Sequence, residues 1–410
     1  MCPTTRDTKT SARIDAAIAA LGPLELSADR VASHVAPLFS RVLARDAQRV
    51  YLANHSLGRP LDATEADVVE ALAGWYARLG DAWDDWSEEL CAHRERIARL
   101  IGAARSDCVI PKPSAGAGLR AVLNALPAGT HVLTTRGEFD SIDVILREYA
   151  RRDRIRLTFV ESDADDRFAT DAIASAIVPG VDLVVVSQVM FRTGQCIDAA
   201  AIVGRAHEVG ARVMLDVYHA VGVIPVDLAR LHADFAIGGS YKYLRGGPGA
   251  CYLYVAPHLL DAGLSTPDIG WFAKEDAFAY RRPDPPRFAR GGDGWMESTP
   301  PVLTWYQARA GQLFTLAIGV ERLRAYSLTC QLFLAGRLRD DGFDVRGGDD
   351  GHGAFVALRH ADAPRLAAAL DAQGIDVDAR GEWLRLCPDV LTRIEELERA
   401  VRALRPAARA

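Results

Sequence analysis

The chain has 410 residues, 49% hydrophobic and 25% charged, and carries a net charge of −6. That composition supplies ample core for an ordinary globular protein, and the length favours one large and one smaller domain. The mild acidity without a basic cluster argues against a nucleic-acid partner, and no apolar run is long enough to span a membrane.

The first residues, 1–11, lack the apolar centre of a signal peptide and read as a mobile tail, so a cytoplasmic location is expected. Residues 12–48 read as helices rich in Ala, Leu and Val, and 51–60 as a loop marked by Asn, Ser, Gly and Pro. A helical stretch follows through Val68, Leu72 and Trp75, with Trp83 and Trp86 after it and another helix at 88–100. Residues 114–126 look like a helix entered through a small-residue turn. Strands and helices then alternate: strand 131–135, helix 141–152, strand 156–161, helix 170–177, strand 183–189 and helix 199–209. Further strands are expected at 212–217, 235–238 and 251–255. This order predicts an α/β fold with a mostly parallel central sheet and helices on both faces. Residues 267–301 read as loop, a helix begins near 304–326, and a small α/β unit continues to about 405. The expected organisation is an N-terminal helical segment at 1–50, a large domain at 51–300 and a small C-terminal domain at 301–410.

Seven cysteines (Cys2, Cys91, Cys108, Cys196, Cys251, Cys330 and Cys387) are scattered without ligand spacing. Reduced thiols and no metal site are expected.

Two segments carry chemistry. Val213-Met-Leu-Asp-Val-Tyr-His219 delivers Asp216 and His219 at the end of an apolar strand. Gly238-Gly-Ser-Tyr-Lys-Tyr-Leu-Arg-Gly-Gly-Pro-Gly249 presents Lys242 between two tyrosines before a glycine-rich turn. An aldehyde cofactor needs an amine to hold it and an acid to keep its ring nitrogen protonated, so the pair points to pyridoxal 5'-phosphate. A surface lysine and a turn-capping aspartate are the bland alternatives. His219 is placed to stack on a ring, to support Asp216, or to be purely structural. Ser114-Ala-Gly-Ala-Gly118 opens a helix and offers phosphate-binding N–H groups, or merely tight packing; Ser240 and Tyr241 can add hydroxyls. Phe139 is a candidate ring-stacking residue, and Ser187 a candidate contact to ring substituents. Trp271 and Thr299 lie on loops that can line a pocket. Arg385, amid apolar neighbours, suits a substrate carboxylate or a salt bridge, with Arg380 its nearest rival.

On these residues the chain resembles the fold-type I pyridoxal-phosphate enzymes of the class V aminotransferase group, and within it the kynureninases. The likeness runs from about Tyr51 to Arg385 and includes Asn54-His-Ser-Leu-Gly58, Phe191-Arg-Thr-Gly194, Gly270-Trp-Phe272 and Ser298-Thr-Pro-Pro301. It implies a homodimer with the active site at the interface and a small amino-acid substrate. Lys242 would bond the cofactor and act as base, Asp216 would hold the pyridine nitrogen, and Tyr241 would donate a proton. Ala115, Gly116 and Tyr241 would hold the phosphate; Phe139, Ser187 and His219 would contact the ring. Trp271 and Thr299 would come from the second subunit, and Arg385 would grip the substrate α-carboxylate. The implied reaction is hydrolysis of the Cβ–Cγ bond of kynurenine or a related amino acid. Aminotransfer, β-elimination and epimerisation use the same core, and a non-catalytic protein of this fold is the remaining alternative. Several segments depart from the family pattern. Phe139-Asp-Ser-Ile142 lacks the expected final acid, and Lys274 replaces a histidine. Leu52-Ala-Asn-His55 and Cys387-Pro-Asp-Val-Leu391 also differ.

Overall fold

A computed structural model describes residues 9–45 and 49–407. A seven-stranded sheet organises the large α/β unit. Its spatial order is Val109–Lys112, Cys251–Val255, Phe235–Gly239, Arg212–Asp216, Leu183–Ser187, Thr130–Thr135, Ile155–Val160. The last five of these run parallel; Cys251–Val255 is antiparallel to both of its neighbours. Strands such as Leu183-Val-Val-Val-Ser187 are buried along their whole length, as strands covered on both faces must be. Helices Ala115–Ala125 and Asp140–Arg151 pack on one another, and so do Thr170–Ala176 and Ala199–Glu208. The expected mostly parallel sheet is therefore present. The edge strand Val109–Lys112 is additional to the expected strands; it contains Pro111, whose missing N–H costs little at an edge.

A second, antiparallel sheet orders Asp378–Arg380, Trp383–Leu386, Val356–Arg359 and Val345–Arg346. The N-terminal helices, beginning with Lys9–Leu21, share one apolar core with this C-terminal unit, built from Ile14, Phe39, Phe314, Leu334, Leu386 and Leu404 among others. Strand Val50–Tyr51 pairs in parallel with Ile375–Asp376, tying the two ends together. The single helix expected near 304–326 is two, Leu303–Ile318 and Val320–Asp340, because the chain turns at Gly319 with φ 89°. Lys9, Thr10 and Ser11 of the expected tail are already helical; the remainder of that tail lies outside the described residues. Cys108, Cys196, Cys251, Cys330 and Cys387 are free thiols as expected, whereas Cys91 is disulfide-bonded, a pairing that scattered spacing does not reveal. Among the described residues no helix is long and apolar enough to cross a membrane, and no cluster of three or more acidic, His or Cys side chains suits a metal.

Phe314 is fully buried, edge-on to Phe39 at 5.3 Å between ring centres. Phe314→Ala should lower stability by about 3–5 kcal/mol through the cavity it leaves, read as an earlier midpoint in chemical denaturation.

Candidate active site

Parallel strands leave a crevice at their carboxyl ends, and the chemistry-bearing residues gather there. Asp216 ends strand Arg212–Asp216 and lies directly across from Ser187, which ends the neighbouring strand. Lys242 follows strand Phe235–Gly239 in a tight turn closed by Gly246 N–H to Ser240 O at 2.6 Å and Arg245 N–H to Lys242 O at 3.1 Å. Distant segments clamp this turn. Gly58 N–H donates to Tyr241 O at 2.8 Å. A Cβ on Gly58 would fall 1.9 Å from the Lys242 carbonyl oxygen, and one on Gly311 1.9 Å from that of Leu244. Only glycine permits either approach. Beneath the turn Arg245 pairs with buried Asp389 at 2.5 Å, and Arg59 approaches the same carboxylate at 3.5 Å.

Lys242 is 7% exposed and its Nζ shares a hydrogen bond of 2.6 Å with His219 Nε2. Burial pulls the Lys242 pKa down from its ordinary value, against the attraction of Asp216. His219 is also buried, and desolvation together with the nearby Lys242 holds its ring neutral. Its Nδ1 is buried without a partner. Burial pushes the Asp216 carboxyl up, opposed by the Tyr218 N–H that donates to Oδ1 at 2.9 Å and by Lys242. Desolvation raises the Tyr241 phenol as well, so it stays protonated.

These groups line one cavity of about 360 Å³, together with Ser114, Ala115, Gly116, Arg120, Phe139, Ser187 and Tyr218. Phe139 lies 5.8 Å from Lys242 Nζ, measured to the ring centre, and packs edge-on to Phe191. Ser114 caps helix Ala115–Ala125, accepting from Ala117 N–H at 3.1 Å. Ala115 and Gly116 form the helix's first turn, where N–H groups have no carbonyl behind them and the helix dipole favours an anion.

The Aminotransferase class-V family matches residues 76–403. The chain belongs to that family. A kynureninase of Bacillus anthracis is 30% identical over 372 residues, covering 83% of this chain and 84% of that protein. A kynureninase of Xanthomonas oryzae pv. oryzae is 33% identical over 310 residues, 69% of this chain and 70% of its own length. Among solved structures, the cystine C-S lyase C-DES superposes with TM-score 0.80 at 19% identity, covering 88% of this chain and 99% of that one. A cysteine desulfurase from Thermococcus onnurineus gives 0.77 at 19%, covering 90% and 96%. These structural likenesses establish the shared fold. The chain is thus a kynureninase-like, fold-type I member of the class V family.

Not every residue expected at this class V site reaches the cavity. Trp271 donates from Nε1 to Thr299 Oγ1 at 3.1 Å. Trp271 faces a separate cleft with Lys274, Tyr280, Arg282 and Arg287. Trp83 and Trp86 join Trp271, Phe272 and Phe278 in an aromatic cluster. The Ser240 hydroxyl turns inward and accepts from Gln312 Nε2 at 3.1 Å, so it does not add to the phosphate end. Arg385 is buried and clasps Asp378 with two nitrogens, at 2.8 and 2.6 Å. His55 and Ser56 hold the same carboxylate at 2.8 and 2.6 Å. Arg380 is exposed and 3.5 Å from Asp378. Asp140 is exposed and Asp143 pairs with Arg147 on the helix surface, so neither replaces the missing acid. Sequence reasoning passed over Glu138, Tyr218 and Arg120. Glu138 had a signal, an acid in a Gly-containing turn just after a strand. Arg120 sits one helical turn beyond Gly116 and so shares its face.

A depressed lysine pKa means that the unfolded chain holds this proton more tightly than the native one. With the amine free, native stability therefore rises as pH climbs from below the native value toward the ordinary lysine value of about 10.4. Lys242→Met, which has no charge to bury, should be more stable than the unmodified chain at pH 6, on the order of 2 kcal/mol. Its advantage should vanish above about pH 10.5, measured by urea unfolding of protein freed of any bound aldehyde.

Proposed function

We propose that this protein is a pyridoxal 5'-phosphate-dependent hydrolase that cleaves the Cβ–Cγ bond of kynurenine or a related amino acid, yielding alanine and an aromatic acid. The observation that carries this reading is the convergence of Lys242, Asp216 and His219 on one cavity in a chain whose kynureninase relatives align over most of its length. The cavity suits the cofactor. It offers a buried amine, a strand-end carboxylate and an unpartnered buried imidazole nitrogen, with a helix N-terminus for the phosphate.

Pyridoxal phosphate, when bound, supplies an electron sink for the bond broken at the substrate α-carbon. Lys242 would hold the cofactor through its aldehyde, and its Nζ would accept the substrate α-proton; burial lowers the pKa of that amine, which suits both tasks. Asp216 would pair with the ring nitrogen and favour its protonated form. His219 orients the lysine through the Nζ–Nε2 hydrogen bond. Phe139 would cover the ring. Tyr241, protonated across the working range, donates to the substrate near the breaking bond. Water adds to the γ-carbonyl, and the leaving fragments are alanine and the aromatic carboxylic acid. Arg385, whose Nε and Nη2 are held by Asp378 and whose Nη1 reaches the Phe191 carbonyl, would anchor the substrate carboxylate by exchanging one of these partners for it. Trp271 and Thr299 would reach a cofactor if a second copy brings them, which favours a homodimer; Phe278 and Tyr280 are exposed beside Trp271.

Sulfur transfer, the chemistry of the desulfurase neighbours, fits less well. Among the described residues, each of the five free thiols is pushed up by burial, and an effective sulfur acceptor needs a thiolate. Aminotransfer, β-elimination or epimerisation remains the competing reading.

Incubating the cofactor-loaded protein with kynurenine, 3-hydroxykynurenine and an amino-acid panel, with products followed by mass, separates these. Equimolar alanine and anthranilate from kynurenine are expected, and their absence removes the kynureninase reading. Lys242→Ala should lose roughly a thousandfold or more in kcat. Arg385→Lys should raise KM about 10- to 100-fold with a smaller effect on kcat.

A further inference from the structure

Glu138 has no role in that scheme, yet its buried carboxyl lies directly behind Ser187, which lines the same cavity. The chain leaves strand Thr130–Thr135 through Arg136 and Gly137, and Glu138 is buried immediately before Phe139. Oε1 accepts the Thr135 hydroxyl at 2.7 Å and Oε2 accepts the Ser187 hydroxyl at 2.6 Å. Thr135 Oγ1 is itself fixed by Gly137 N–H at 3.1 Å. Among the described residues no cation pairs with this carboxylate.

The titratable group acting on Glu138 from the adjoining strands is Asp216; Lys242 and His219 line the same cavity. Burial foremost, with the Asp216 charge adding to it, pushes the Glu138 pKa up to about 7 against the two hydroxyl donors.

A serine hydroxyl has one proton to give. While Glu138 is ionised it takes that proton, and the Ser187 oxygen meets the cavity as an acceptor only. Once Glu138 is protonated it can donate to Ser187, and the Ser187 proton is free to turn into the cavity. We propose that Glu138 is a positioning residue that sets, through Ser187, whether the wall beside Asp216 offers the cofactor ring an acceptor or a donor. This inference rests on the pyridoxal-phosphate reading above.

The test is a pH titration of the visible absorption band after loading with pyridoxal 5'-phosphate. It compares the unmodified chain, Glu138→Gln, Ser187→Ala and the double variant. The negative charge of Glu138 favours the protonated chromophore, so Glu138→Gln should lower the band's midpoint by about one pH unit. In the Ser187→Ala background the same change should shift it by less than about half as much. A midpoint in Glu138→Gln within about 0.2 unit of the unmodified chain overturns the proposal, as does an undiminished shift without Ser187. Thr135→Val supplies a second variant should Glu138→Gln not fold. It removes one donor to the ionised carboxylate, so the midpoint should again move down, and no movement counts against the proposal. A band in the unmodified chain without these shifts defeats this inference alone; no band at all defeats the cofactor reading with it.

Discussion

Burying the Lys242 amine at the carboxyl edge of five parallel strands carries a desolvation cost, and the surrounding side chains are arranged to offset part of it. Asp216 attracts the ammonium form, His219 shares a hydrogen bond with Nζ, and the rings of Phe139, Tyr218 and Tyr241 stand 5.7 to 5.8 Å away. Desolvation outweighs these attractions and pulls the lysine pKa down to about 7, so a large share of the amine is neutral near neutral pH. A lysine in water is a poor nucleophile near neutral pH, so this imbalance is what makes position 242 useful.

Holding the amine there requires a rigid turn, and its supports come from far along the chain. Gly58 and Gly311 let backbone from the N-terminal loop and from helix Leu303–Ile318 press against carbonyls of the turn. Asp389, in the segment that departs from the kynureninase pattern, draws in Arg245 from below and Arg59 from the side. Two cations on one buried carboxylate keep it ionised and make the C-terminal unit part of the active-site scaffold. The altered Cys387-Pro-Asp-Val-Leu391 segment thus has a structural use whatever it does for substrate choice.

The site also contains more carboxylates than its motifs advertise. Asp216 ends a strand, Asp378 aligns Arg385, and Glu138 lies beneath Ser187. Each has different neighbours: a buried lysine, an arginine fork, and two hydroxyls. Their protonation preferences diverge accordingly. Asp378 is held low by His55 and Arg385 despite burial, whereas Glu138, with no cation, is pushed up.

The alternation of apolar strands with amphipathic helices, and the placing of Asp216, His219 and Lys242 at strand ends, could be read directly from the chain, because strand burial and helical periodicity are local patterns. The helix start at Ser114 and the class V likeness were equally legible. Local patterning along the chain was enough for the fold class and the amine–carboxylate pair. Tertiary structure alone decided which partners those groups meet: that His219 holds the lysine, that Arg385 clasps Asp378, that Ser240 turns away, and that Glu138 comes to Ser187 across 49 positions of sequence. Hydrogen bonds between residues so far apart depend on strand order and register, which no local spacing encodes.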